Sequence, residues 1–182
     1  MREKSNFLAY FFLLLTVTFW AGNFIVGKFA SLYEVPPFSL NFYRWFFAWL
    51  ILAPFTLPEI IKKRDYIIKN FKLFIILGVT SITIFNSIVY YSLNFTQVIS
   101  GVLMISTIPV MIMFFSSILK IEKTNIFQII GVILSFTGVV IIITKANFEI
   151  LKNLDFNKGD VTMVIAMFSW ALYSSLLKKQ KY

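Results

Sequence analysis

Residues 73–119 read LFIILGVTSITIFNSIVYYSLNFTQVISGVLMISTIPVMIMFFSSIL, 47 consecutive positions without a charged side chain. The hydrocarbon core of a bilayer is about 30 Å thick, and a helix rising about 1.5 Å per residue crosses it in about 20 residues. The run is more than twice that length, so it predicts two spans joined by one turn. The polar cluster Asn94-Phe95-Thr96-Gln97 is where the turn belongs. Strands are a poor alternative, because a membrane barrel alternates apolar and polar residues in segments of about ten. The fold is therefore to be read as helices in a membrane.

The flanking sequence repeats the pattern. Residues 5–27 carry no charge, 35–58 carry only Arg44, and 124–144 and 161–177 carry none. Together these runs predict spans at about 7–27, 37–57, 73–93, 98–119, 125–144 and 161–177. Pro36-Pro37 suits the start of the second span and Pro58 its end, since proline is tolerated in a first helical turn and stops a helix elsewhere. Pro109 falls inside the fourth span, where it predicts a kink and a freed carbonyl. Arg2 and Lys4 precede an apolar run too long for a signal peptide and without an A-x-A-like cleavage site, which predicts an uncleaved first span.

Composition excludes several classes. Of the 182 residues 59% are hydrophobic and only 14% are charged, where a soluble domain carries about 25% charged residues. Too little polar surface is available for a soluble enzyme, and too much apolar surface for a disordered chain. The sequence has no His and no Cys. It therefore offers no disulfide, thiol nucleophile, imidazole base or zinc site. No nucleophile–base pair or metal cluster stands out, so neither an enzyme nor a cofactor-binding protein is expected.

The net charge of +9 reads as an orientation signal rather than a nucleic-acid surface. Twelve Lys and Arg fall in the N-terminal tail, the loops after spans 2 and 4, and the C-terminal tail; four fall in the alternate loops. Cytoplasmic loops are enriched in these residues, so both termini are expected in the cytoplasm. The expected class is an all-α, multi-pass protein of the cell (cytoplasmic) membrane with about six transmembrane helices.

The sixth span echoes the first. Trp20-Ala21 is followed by Lys28 and Trp170-Ala171 by Lys178, with the same spacing of eight. Five spans lie between the copies. An odd number means that they run in opposite directions across the membrane, as inverted repeats of secondary transporters do, with substrate held at the midplane between them.

These marks resemble a known family. Phe19-Trp20-Ala21-Gly22-Asn23-Phe24 with Lys28, then Pro37 followed by Arg44, resembles the opening of an EamA-type domain of the drug/metabolite transporter superfamily. The likeness continues through Tyr90-Tyr91-Ser92-Leu93, Pro109, Glu122, Gly131 and Gly138. It ends on Gly159-Asp160 leading into Ser169-Trp170-Ala171-Leu172-Tyr173. The resemblance implies ten helices in two inverted five-helix repeats and export of small metabolites or amino acids. Residues 7–145 then form one EamA-like repeat, 146–160 a loop, and 161–182 the first helix of a second repeat. On that reading the second repeat is truncated, or another chain or a second copy completes it. The alternative to a transporter is a non-transporting membrane subunit or an inactive N-terminal fragment.

Candidate transport residues follow from polarity inside the spans. Thr80, Thr83, Ser87, Tyr90 and Asn94, with Asn86 alongside, share about 120° of a helical wheel at 100° per residue. Such a stripe faces either other helices or a wet cavity. Arg44 lies roughly 10 Å into the second span, and Asn23 lies in the first. A charge at such depth faces a cavity or a partner, or snorkels to the interface. The expected substrate pathway is Asn23, Arg44, Thr83, Asn86, Ser87 and Tyr90. No Asp or Glu lies inside a span, so an anionic or zwitterionic small molecule suits the pathway better than a cation. Glu122, beside Lys120 and Lys123, reads as a loop ion pair. Gly131, Ser135 and Gly138 form a small-residue stripe suited to close helix packing. The tryptophans read as lipid-facing anchors.

Overall fold

The computed structural model describes residues 2–121, 125–144, 147, 149 and 157–179. Its helices are α1 (Arg2–Leu32), α2 (Pro37–Lys62), α3 (Arg64–Lys69), α4 (Phe71–Ser92), α5 (Val98–Ile105), α6 (Ile108–Ile118), α7 (Ile126–Thr144) and α8 (Lys158–Lys179). Among the described residues, four segments are long and apolar enough to cross a membrane: Phe7–Leu32, Pro37–Lys62, Phe71–Ser92 and Lys158–Lys179. The other two predicted spans are apolar helices as well. One is the broken pair α5 and α6, and the other is α7. The all-α membrane class stands, and the expected turn lies between Ser92 and Val98.

Local chemistry sets the boundaries. α1 ends with Val35 N–H on Ala30 O at 2.9 Å and Glu34 N–H on Ser31 O at 3.2 Å. Glu34 takes the left-handed backbone, φ 56°, that closes such a helix end. α2 then starts at Pro37, but it does not stop at Pro58 as expected; it continues to Lys62 with Pro54 and Pro58 one turn apart on an exposed face. Membrane helices absorb such prolines through local adjustment of the backbone. At Pro109 the expected kink is a break. Thr107 donates to Met104 O through both its hydroxyl (2.6 Å) and its amide (3.0 Å), and α6 begins with Pro109 in its first turn.

α4 is not uniform. Its middle, Val79–Asn86, is a π-helix between α-helical Phe71–Gly78 and Ser87–Ser92. The core gathers where α4 meets α8, around Tyr90, Leu93, Met163, Ala166 and Met167, with Phe24 of α1 and Ile108 of α6. Gly27, Gly101 and Gly159 let three helices close on this point. A Cβ on each would come within 2.9 Å or less of Tyr90, Met163 and Ser92, respectively.

A polar knot holds the same end together. Lys28 Nζ donates to Leu93 O (2.7 Å) and Thr96 O (3.1 Å), satisfying carbonyls at the end of α4. The α8 N-terminus is capped reciprocally: Asp160 N–H donates to Asn157 Oδ1 at 2.9 Å and Asn157 N–H to Asp160 Oδ2 at 3.4 Å. Asp160 Oδ1 also accepts from the Thr96 hydroxyl at 2.8 Å. Thus α1, the 93–97 turn and α8 are bound at one end, and the cavity described next lies deeper between the helices.

Candidate functional site

Arg44 projects from α2 and binds side chains from two other helices. Its Nη1 donates to Asn23 Oδ1 of α1 and to Tyr90 Oη of α4, and its Nη2 donates to Asn86 Oδ1 of α4 at 2.9 Å. Tyr90 Oη in turn donates to Asn23 Oδ1 at 2.6 Å. The Asn86 amide is oriented by its own Nδ2, which donates to Ser81 O at 2.8 Å. The guanidinium carbon lies 5.1 Å from the Trp45 ring centroid and 5.6 Å from that of Tyr90, within cation–π range. The Arg44 side chain is thus engaged by side chains of α1 and α4.

Asn23, Arg44 and Asn86 of this network line one wall of a cavity of about 450 Å³, with Tyr90 behind them. The remaining walls are mostly aromatic: Phe19 and Trp20 of α1, Phe85 of α4, and Trp170 and Tyr173 of α8. Trp20 and Trp170 meet edge to face at 5.9 Å, and Phe85 lies 4.6 Å from Trp170. The two Trp-Ala motifs of the sequence are thus neighbours in space.

The charge of Arg44 is not neutralised locally. Among the described residues the ion pairs are Lys63–Glu59 and Arg64–Asp65, both exposed, and no carboxylate lines the cavity. Arginine has five N–H donors, and three are engaged in the bonds above. A fixed cation with unused planar donors beside aromatic walls is suited to bind a carboxylate or similar planar anion.

The predicted pathway is brought together in part. Asn23, Arg44, Asn86 and Tyr90 form the network. Ser87 is buried but faces elsewhere, accepting from Asn41 Nδ2 at 2.9 Å. Thr83 is exposed and lines a second groove of about 380 Å³ with Phe38, Asn41, Phe42 and Trp49. Each π turn takes one more residue than an α turn, so a wheel drawn at 100° per residue misplaces Thr83. Asn94, at the end of the stripe, is exposed and bonds back to Tyr90 O and Tyr91 O.

The other sequence marks fall outside the cavity. Gly131 and Ser135 are exposed and Gly138 half-buried, and a Cβ on either glycine would meet no atom within 4 Å. The stripe thus packs on no helix of this chain among the described residues. Glu122, and most of the 146–160 loop, lie outside those residues. Trp20, Trp45 and Trp170 line the cavity rather than serving only as lipid anchors. Sequence reasoning did not single out Ser81 or Asn41; the position of Asn41 three residues before Arg44, on the same helical face, was the available signal.

The model of the EamA-like transporter family matches residues 7–144. The chain belongs to the EamA-like transporter family. That places it in a lipid bilayer as a multi-pass membrane protein. It is 30% identical to an uncharacterized transporter of Archaeoglobus fulgidus, over 98% of this chain and 59% of that protein. It is 28% identical to the uncharacterized transporter YyaM of Bacillus subtilis, over 92% of this chain and 54% of that protein. The chain therefore spans a little over half the length of these relatives. No solved structure matches it.

Proposed function

We propose that this EamA-family chain provides the solute-binding half of an exporter of small polar metabolites or amino acids, working by alternating access. The carrying observation is the un-neutralised Arg44 at the wall of an aromatic cavity. Its two uncommitted donors suit the carboxylate of an anionic or zwitterionic solute. Tyr90, Asn23 and Asn86 hold the guanidinium in place before the solute arrives, which limits the ordering needed on binding. Residues 7–145 act as one repeat and α8 opens a second, inverted one, a reading supported by the contact of the two Trp-Ala motifs at Trp20 and Trp170. Further helices, from the same polypeptide, another protein or a second copy, complete the cavity. The protein sits in the cell membrane with both termini in the cytoplasm, a placement supported by the twelve-to-four distribution of basic residues.

Efflux from preloaded cells tests this reading. Cells expressing the chain together with the helices that complete its cavity should lose a labelled small carboxylate faster than controls, and Arg44→Ala at equal membrane abundance should abolish the difference. Equal efflux by wild type and Arg44→Ala across amino acids and organic acids would remove Arg44 from the pathway and with it the proposal.

A further inference from the structure

The π segment of α4 is held by side chains from three helices. The consecutive carbonyls of Thr80, Ser81 and Ile82 each accept a side-chain hydrogen bond: from Ser169 Oγ of α8 at 2.7 Å, from Asn86 Nδ2 at 2.8 Å, and from Asn41 Nδ2 of α2 at 3.0 Å. Asn41 Nδ2 also reaches Ser87 Oγ, just beyond the segment. π-helical turns are rare and occur mostly as local insertions at functional sites. Here the external donors sit where the insertion is.

Two observations point to a second register. Asn41 is 6% exposed and its Oδ1 is buried with no hydrogen-bond partner, which is destabilising for a polar atom away from water. Asn41 thus captures Ile82 O while leaving its own acceptor unpaired. The burial pattern also disagrees with the polarity pattern. Buried positions step from Ser81 to Asn86, an interval of five. The polar residues Thr80, Thr83, Ser87 and Tyr90 instead repeat at the three and four of an uninterrupted α-helix. Thr83 is the position at which the two disagree, polar in the stripe yet exposed beside Phe42.

We infer that Asn41 and Ser169 are positioning residues that hold 79–86 in the π register, and that releasing their bonds lets the segment take the α register. That change turns Thr83 toward the Arg44 cavity and carries Asn86 off the guanidinium. The donors come from α2 and α8, so movement of either helix is coupled to the polar wall of the cavity. The inference rests on the proposed role of that cavity as a solute site, but its test needs no solute.

The chain has no cysteine, so single cysteines can be read directly with a water-soluble anionic methanethiosulfonate on the full chain in lipid nanodiscs. Ile105→Cys, lining the cavity beside cationic Arg44, should react fast, and Thr83→Cys, in an aromatic groove with no charged residue to attract an anionic reagent, slowly. Adding Ser169→Ala should speed Thr83→Cys about fivefold, the effect expected of one neutral hydrogen bond, with Ile105→Cys unchanged. Asn41→Leu should act in the same direction, and Ser169→Thr, which keeps the hydroxyl, should restore the slow rate. A Thr83→Cys rate indifferent to both variants, or already equal to that of Ile105→Cys, would overturn the inference. So would a parallel rise at both cysteines, which signals general loosening. Correct labelling in a protein that binds no acid would fault the solute reading alone.

Discussion

Gly27→Ala places one methyl group where the helices are closest. Its carbon would lie 2.8 Å from Tyr90 Cδ1, 2.9 Å from Leu93 Cδ1 and 3.0 Å from Tyr90 Cε1. Carbon atoms prefer about 3.5–4.0 Å, so the overlap is roughly 1 Å. Tyr90 is 3% exposed and Leu93 fully buried, so either can make room only by shifting within the packed core. Forcing such a contact in a packed core typically destabilises by about 1–3 kcal/mol. The backbone itself raises no objection, since no described glycine has positive φ. Gly22→Ala is the matched control on the same helix: nothing lies within 4 Å of its added carbon. There the substitution should gain up to about 1 kcal/mol from helix propensity. Denaturant unfolding of the two variants in one detergent should therefore separate them by at least about 1 kcal/mol, Gly27→Ala being the weaker. Because the Tyr90 ring must shift, its bonds to Arg44 and Asn23 should also weaken. Equal stability of the two variants would refute the close packing of α1 on α4.

Three further outcomes are expected. Lys28→Met removes the charged donor from Leu93 O and Thr96 O; unfolding should show a loss of about 1.5–3 kcal/mol, and no loss would mean that water replaces the ammonium. Asp160→Ala removes the acceptor of Thr96 and half of the α8 cap. It should destabilise by about 1 kcal/mol and speed hydrogen exchange in the first turn of α8, whereas unchanged exchange would deny the cap. In intact cells an impermeant thiol reagent should label Gln97→Cys but not Lys63→Cys, from the asymmetry of basic loops; labelling of position 63 would reverse the topology.

Much of the architecture was legible because charge is so costly in hydrocarbon. Uncharged runs marked the helices, and the polar Asn94–Gln97 cluster marked the turn. Arg44 and Asn23 stood out for the same reason, and the structure joins them with Tyr90 and Asn86. Thr83 was misplaced because a helical wheel assumes one pitch, while α4 changes pitch at Val79 under bonds from α2 and α8. No property of residues 79–86 alone announces those bonds. Pro58 misled similarly, since proline stops helices in water more reliably than in lipid. The aromatic walls were hidden by composition: with 22 Phe and 4 Trp in the chain, lipid-facing and cavity-facing rings look alike until helices are packed.

The central claim is that Arg44 receives the negative group of a solute. Trp45 beside its guanidinium, and Trp20 and Trp170 on the same cavity, provide an internal reporter. Tryptophan fluorescence of the purified chain in lipid nanodiscs should be titrated with small carboxylic acids and with their neutral amides. A charged hydrogen bond contributes about 1.5–3 kcal/mol, or roughly 10- to 150-fold in affinity. The account predicts a saturable change with at least one acid that is weaker by at least about tenfold for its amide and for Arg44→Ala. Equal affinity for acid and amide, or an Arg44→Ala variant that binds the acid as wild type does, would contradict it.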